Sequence, residues 1–214
     1  MKDEITPGKQ RKIAAYLLKI KAVQISIDPP FIWSSGKASP IYCDNRLTLS
    51  YPEVRKEIQA GFVEIIQRQF PHIQGVAGVA TGGIAHAALV ADSLNLPMVY
   101  IRGKAKAHGK KNQVEGKVEP GASYLVIEDL VSTGKSSLAA VQALQDAGGV
   151  VACTLAIFSY GLPLADKAYE AIGQSYQSLT QLSDLMEVAV ELNLLEPQEQ
   201  KIVDKWQNNP DFWQ

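Results

Sequence analysis

Two adjacent acids, Glu128 and Asp129, stand just ahead of a small hydroxyl-rich turn, Ser132-Thr133-Gly134-Lys135-Ser136. Neighbouring carboxylates can accept hydrogen bonds from the vicinal hydroxyls of a ribose, or they can share a metal. The turn leads into a helical stretch expected from about Ser137, with Leu138, Val141 and Leu144 on one face. Free backbone N–H groups at a helix N-terminus, joined by small hydroxyl side chains, suit a phosphate. An acid pair beside a phosphate is repulsive unless it grips hydroxyls or a metal. The combination points to a phosphorylated sugar held at both ends. Gly134-Lys135-Ser136 also matches the tail of a Walker A loop, but the leading glycine of that motif falls on Asp129. An ordinary strand–turn–helix with capping hydroxyls explains the turn and leaves the acids unexplained.

A second group of chemical side chains runs Arg102-Gly103-Lys104-Ala105-Lys106-Ala107-His108-Gly109-Lys110-Lys111. It is polar, glycine-containing and without apolar periodicity, so a long exposed loop is expected. Cations on such a loop beside a phosphate site suit a lid over a pyrophosphate. The alternatives are a solvated charged face or a nucleic-acid contact, and the stretch has no aromatic residue for base stacking. The other histidines read as structural. His72 follows Pro71 in an exposed turn, and His86, early in a helix, fits a surface or cap position better than a ligand. Neither has a partner at zinc-ligand spacing. Trp33, Trp206 and Trp213 read as packing residues.

The elements that must position these groups alternate. Val76–Ala80, Met98–Ile101, Tyr124–Ile127 and Val150–Phe158 read as strands, with the two acids at the carboxyl end of the third. Thr81-Gly82-Gly83 is a tight loop before a helix at 84–94. This alternation predicts an α/β fold, a twisted and mainly parallel sheet flanked by helices, with ligands at the carboxyl ends of the strands. Ahead of it, residues 9–20 form an amphipathic helix, and 31–33 and 41–43 read as two short strands joined by a turn. Ser50 and Glu53 have capping-box spacing before a helix that stops short of Pro71. The chain reads as one domain over residues 1–214. Residues 1–50, with part of a helical tail from Leu182, form a small N-terminal cap, and about 51–165 form the core.

Net charge is −1 with 20% charged residues, so no global nucleic-acid or membrane signature is present. The two cysteines, Cys43 and Cys153, fit a reducing cytosol, and Cys153 reads as a small core residue. The charged N-terminus lacks a signal core, and no apolar run approaches spanning length, so a cytoplasmic protein is expected.

The stretch Leu125 to Ser136 resembles the phosphoribosyl pyrophosphate (PRPP) motif of type I phosphoribosyltransferases. Arg102, Lys106 and His108-Gly109 resemble the basic loop of orotate phosphoribosyltransferases. Ser39-Pro40-Ile41-Tyr42 and Ala80-Thr81-Gly82-Gly83 extend the likeness over nearly the whole chain. The resemblance implies the type I phosphoribosyltransferase fold. It also implies transfer of the phosphoribosyl group of PRPP to orotate, giving orotidine 5′-monophosphate and pyrophosphate in pyrimidine synthesis. The alternatives are transfer to another base and a non-catalytic PRPP-binding regulator.

By the same resemblance, Thr81, Gly82, Gly83, Arg102, Lys106, His108, Glu128, Asp129, Leu130, Val131, Ser132, Thr133, Gly134, Lys135 and Ser136 bind PRPP. Lys106, His108, Arg102 and Asp129 carry the catalytic burden. Ser132, Tyr42 and Cys43 face orotate. Mg2+ is the implied cofactor, reached by Asp129 through water. The implied assembly is a homodimer in which the basic loop enters the partner's site, with no nucleic-acid or membrane partner. The chain differs from some family members at Ser34, at Gly103, at Lys135 and at Tyr160-Gly161, where an orotate-holding arginine can stand.

Overall fold

The protein is represented by a computed structural model that describes residues 7–33, 36–103 and 113–210. Helix α1 (Pro7–Lys19) opens the chain and is followed by a hood of two ribbons. Val23–Ile25 (β1) pairs antiparallel with Ile41–Cys43 (β4), and between them Phe31–Ile32 (β2) pairs with Ala38–Ser39 (β3). Both expected strands exist, but they do not pair with each other. At Pro40 the Ser39 hydroxyl accepts the Ile41 N–H at 3.1 Å and lies 2.8 Å from the Ile41 carbonyl, to which it donates, so the chain turns and changes ribbon. A 3-10 turn over Asn45–Ser50 leads into α2 (Pro52–Gln69). The anticipated capping box is not made. Ser50 belongs to the 3-10 turn, Tyr51 is the N-cap without a side-chain bond, and Glu53 instead accepts from the Tyr16 hydroxyl at 2.8 Å.

The α/β part follows as β5 (Gly75–Val79), α3 (Gly82–Leu94), β6 (Met98–Ile101), β7 (Val114–Glu115), β8 (Ser123–Val131), α4 (Lys135–Asp146), β9 (Val150–Ser159), α5 (Pro163–Glu170) and β10 (Tyr176–Gln181). The sheet order is β10-β9-β8-β5-β6-β7, with only β7 antiparallel to its neighbour. This is the mainly parallel sheet flanked by helices that the alternation predicts. Strand β8 runs further than Ile127, because β9 stays paired with it as far as Val131 opposite Ser159. The acids therefore sit inside the strand rather than after it. The sheet also reaches past residue 165 to β10, a polar edge strand whose buried residues are Leu179 and Thr180.

Side chains alternate across the sheet as strand geometry requires. Val76, Leu125 and Ile127 join the core formed with α1, α2 and α3. Ala77, Val79 and Val126 join the core formed with Val141 and Leu144 of α4. Adjacent strands β5 and β8 thus send their following helices to opposite faces, which opens a crevice at their carboxyl ends.

Two tail helices, α6 (Leu182–Glu191) and α7 (Pro197–Asn208), complete the first core through Leu185, Met186, Val203 and Trp206. Ion pairs such as Lys9–Glu64 at 2.5 Å decorate α1. Pairs this exposed contribute about 0–1 kcal/mol. Fully burying Ile13 or Leu17 contributes about 1.5–3 kcal/mol each, so burial decides the placement of α1. Among the described residues no helix is long and apolar enough to cross a membrane.

Helix α3 lies unusually close to the sheet. A Cβ on Gly83 would stand 2.3 Å from the Ile127 carbonyl oxygen, and one on Gly78 would stand 2.9 Å from Ala87 Cβ. Backbone cannot retreat from such a contact without moving the helix. Gly83→Ala is expected to cost about 3 kcal/mol, lowering the melting temperature by roughly 6–12 °C. Thermal denaturation followed by circular dichroism checks it, and an unchanged midpoint contradicts the packing.

Candidate active site

The crevice holds a cavity of about 620 Å³. One wall is the β5–α3 turn with Ala80 and Thr81, and the opposite wall is the β8–α4 turn from Ser132 to Ser136. Glu128, Asp129 and Leu130 form the floor, and Arg102, Gly103 and Gln113 stand at the mouth. The acid pair, the hydroxyl-rich turn and the start of the basic run, Arg102 and Gly103, therefore face one space.

The acids differ in environment. Glu128 is buried, accepting the Asp129 N–H at 3.1 Å and the Ser136 hydroxyl at a long 3.4 Å. Burial, and then the neighbouring charge of Asp129, push its carboxyl well above the usual carboxylate range. A Glu128 that keeps its proton can donate as well as accept. The Asp129 carboxylate rests against the first residue of α3, since a Cβ on Gly82 would come within 2.0 Å of Oδ2. A helix N-terminus is a favourable seat for that negative charge. Gly82 and Gly83 thus lie behind the wall, permitting the contact rather than lining the cavity.

Sequence reading missed what holds the floor from the hood side. Asn45 Nδ2 donates to the Asp129 carbonyl at 2.6 Å, and the Thr48 hydroxyl donates to the Asn45 carbonyl at 2.5 Å. Thr48 Oγ1 is also 3.1 Å from His86 Nε2. With the hydroxyl proton committed to Asn45, the imidazole must donate from Nε2 and leave Nδ1 bare. His86 is buried, not on the surface as its position early in a helix suggested. Burial, followed by the charge of Arg55, pushes its pKa down to about 4, so it stays neutral. No local pattern marks Asn45, Thr48 and His86 as a set, because they meet only when the hood closes on α3.

In the phosphate-type turn, Gly134 adopts φ +78° and caps α4, which starts at Lys135, two residues earlier than expected. Its carbonyl accepts the Leu138 N–H at 2.9 Å and the Ser137 hydroxyl at 3.1 Å. The first-turn amides of α4 have no intrahelical acceptor and remain available to an anion. Val131 does not reach the cavity; it is fully buried on the other side with Ala156 and Tyr169.

The basic segment leaves and re-enters the sheet at one place. Strands β6 and β7 pair Tyr100 with Glu115 and Ile101 with Val114, and the Arg102 N–H donates to the Gln113 carbonyl at 2.8 Å. The Arg102 guanidinium lies 3.3 Å from Glu115 Oε1. Lys106 and His108 lie outside the described residues. Tyr42 and Cys43 do not line the cavity. Tyr42 is 40% exposed and packs on Phe31, while burial and the Asp129 charge raise the half-buried Cys43 thiol.

No cluster of three metal-ligating side chains occurs among the described residues. Burial disfavours the charged form of Glu128, and Asp129 is the more accessible carboxylate of the floor. That donor set fits a small hard cation that keeps its waters and takes further ligands from a phosphorylated substrate.

The sequence pattern of the phosphoribosyl transferase domain family matches residues 50–178. An orotate phosphoribosyltransferase of Bacillus pumilus is 52% identical over 199 residues, covering 93% of this chain and 94% of that protein. One of Bacillus anthracis is 49% identical over 201 residues, covering 94% and 96% respectively. Among solved structures, the orotate phosphoribosyltransferase of Aeropyrum pernix aligns with a TM-score of 0.74 at 28% identity, over 86% of this chain and 99% of that one.

The buried acid has a measurable signature. Because the folded pKa of Glu128 lies above its unfolded value, the folded state holds the extra proton between the two. Stability therefore falls as pH rises through that window. Glu128→Gln is expected to stabilise the ligand-free protein by about 1–2 kcal/mol at about pH 8, and to have no effect near pH 4. Melting curves at both pH values check this; a variant less stable than wild type at the higher pH contradicts it.

Proposed function

The chain belongs to the phosphoribosyltransferase family, among the orotate phosphoribosyltransferases, and from that premise we propose how its own residues carry out the reaction. PRPP and orotate give orotidine 5′-monophosphate and pyrophosphate. As N1 of orotate bonds to C1 of the ribose, the C1–O bond to pyrophosphate breaks and the N1 proton is released. The observation that carries the reading is the single cavity joining an acid floor, an amide-rich turn and a cationic mouth.

The floor and the turn hold parts of PRPP that do not react. Glu128 and Asp129 take the ribose 2′ and 3′ hydroxyls, with the Glu128 proton available to a hydroxyl oxygen. Ser132, Thr133, Gly134, Lys135 and Ser136 take the 5′-phosphate, with the Leu130–Val131 backbone carrying the strand into the turn. Holding the sugar at both ends fixes C1 against the incoming base. No protein nucleophile is needed, because the charge that develops lies on the leaving pyrophosphate and on the ribosyl carbon. Arg102, Lys106 and His108 neutralise the former, and the backbone at Thr81, which lines the cavity with Gly82 and Gly83 behind it, approaches it. Asp129 would hold Mg2+ through water, and the ion would supply further neutralisation of the pyrophosphate charge. Ser132 faces the base, whereas Tyr42 and Cys43 stand outside the cavity and are given no contact with it.

The family likeness supports a homodimer in which the basic segment enters the partner's site. The two free cysteines support a cytoplasmic location.

Pyrophosphate release from PRPP, measured with orotate, adenine, hypoxanthine or no base, is the direct test. Turnover is expected with orotate. Turnover with a purine alone assigns another base, and tight PRPP binding without turnover assigns a regulator. Lys106→Ala is expected to lower kcat by about 100-fold or more, and unchanged turnover removes that residue from its role.

A further inference from the structure

The phosphate-type turn is held from behind by a side chain that never enters the cavity. Tyr169, on α5, is 2% exposed. Its hydroxyl donates to Ser137 Oγ at 2.8 Å. The single Ser137 hydroxyl proton goes on to the Gly134 carbonyl at 3.1 Å, so the donors run in one direction from Tyr169 to Ser137 to Gly134.

A buried tyrosine hydroxyl commonly finds some partner, and satisfaction alone is the simplest account of the first bond. Three features exceed that account. The Gly134 carbonyl already accepts the helical Leu138 N–H at 2.9 Å and needs no second donor. The Tyr169 ring also closes on Gly134 itself, where an added Cβ would lie 3.1 Å from Cε2, at a residue whose φ of +78° shapes the turn. Tyr169 is in turn braced by Tyr176, with ring centroids 4.8 Å apart, and the Tyr176 hydroxyl is tied to Asp166 of α5 at 2.7 Å. A carbonyl in this turn that swung toward the cavity would present its negative end to a phosphate dianion. Two donors on the far side prevent the swing and leave the turn's N–H groups facing the cavity. Burial also raises the Tyr169 pKa, so the hydroxyl remains a donor.

We propose that Tyr169 is a positioning residue for the 5′-phosphate: acting through Ser137, it locks the Gly134 carbonyl into α4 and keeps the 132–136 turn in its anion-binding form. The inference rests on assigning that turn to the 5′-phosphate. PRPP and orotidine 5′-monophosphate share this group, whereas orotate and pyrophosphate lack it. The phosphate lies away from the bond being exchanged, so loosening its seat affects ground and transition states alike.

Tyr169→Phe removes the hydroxyl and keeps the ring. Steady-state kinetics in both directions should show KM raised about 5- to 20-fold for PRPP and for orotidine 5′-monophosphate alike. KM for orotate and pyrophosphate, and kcat, should stay within about twofold. Ser137→Ala should reproduce the pattern, and the double variant should be no worse than either single one, since both break one chain. Calorimetry with ribose 5-phosphate should show the same loss. A Y169F enzyme with a lower melting temperature but unchanged KM values overturns the proposal, as does a rise in all four KM values together. If wild type binds ribose 5-phosphate and Y169F binds it equally well, the phosphate site stands and the positioning role fails. If wild type binds neither ribose 5-phosphate nor PRPP, the assignment of the turn fails, and this inference with it.

Discussion

Two carboxylates sit side by side at the bottom of one cavity, and much of the surrounding structure answers that constraint. Removing a charge from water and setting it beside another of the same sign costs several kcal/mol. The protein treats its two acids differently. Glu128, deeply buried, is driven toward its neutral form. Asp129 is left on the floor and pressed against the start of α3, where Gly82 has no side chain to keep it away. A pair of hydroxyls can meet two such carboxyls without adding charge. A second dianion could not.

Topology brings these parts together without long loops. Because α3 and α4 leave adjacent strands toward opposite faces, their N-termini flank one crevice, and α4 turns its first residues toward it. The close approach of Gly78 and Gly83 fixes how far α3 stands from the sheet, and through Gly82 it fixes where Asp129 rests. Packing of a helix and placement of a carboxylate are here the same fact.

Sequence reading recovers the features with a local signal. The apolar runs of β5, β6, β8 and β9 are legible as strands, and the acids and the hydroxyl-rich turn that the sequence sets side by side do line one cavity. Strands β7 and β10 are not: one has two residues, and the other is a polar edge whose pairing with β9 replaces an apolar pattern. Asn45, Thr48, His86 and Tyr169 escape for a different reason. Asn45, His86 and Tyr169 each bond a group far away in sequence, and Thr48 is marked only by the arrival of His86; a polar residue that will be buried against such a partner looks like any surface residue until the chain folds. Hood pairing is hidden in the same way, since Val23–Ile25 and Ile41–Cys43 find each other only after Ser39 redirects the chain.

The mouth of the cavity has its own electrostatic logic. A chain with a net charge of −1 has no global field to attract a polyanion, so attraction must be local. Arg102 provides it from a fixed base, because β6, β7 and the Gln113 carbonyl hold its backbone in place. Its guanidinium meets Glu115 at 3.3 Å with both side chains partly exposed. A pair of that kind contributes about 0–1 kcal/mol, whereas a phosphate can take the guanidinium in a two-pronged, charge-assisted contact that is considerably stronger. An anion at the mouth could therefore draw Arg102 from Glu115 at small cost. The acid keeps the arginine near the mouth without competing seriously for it.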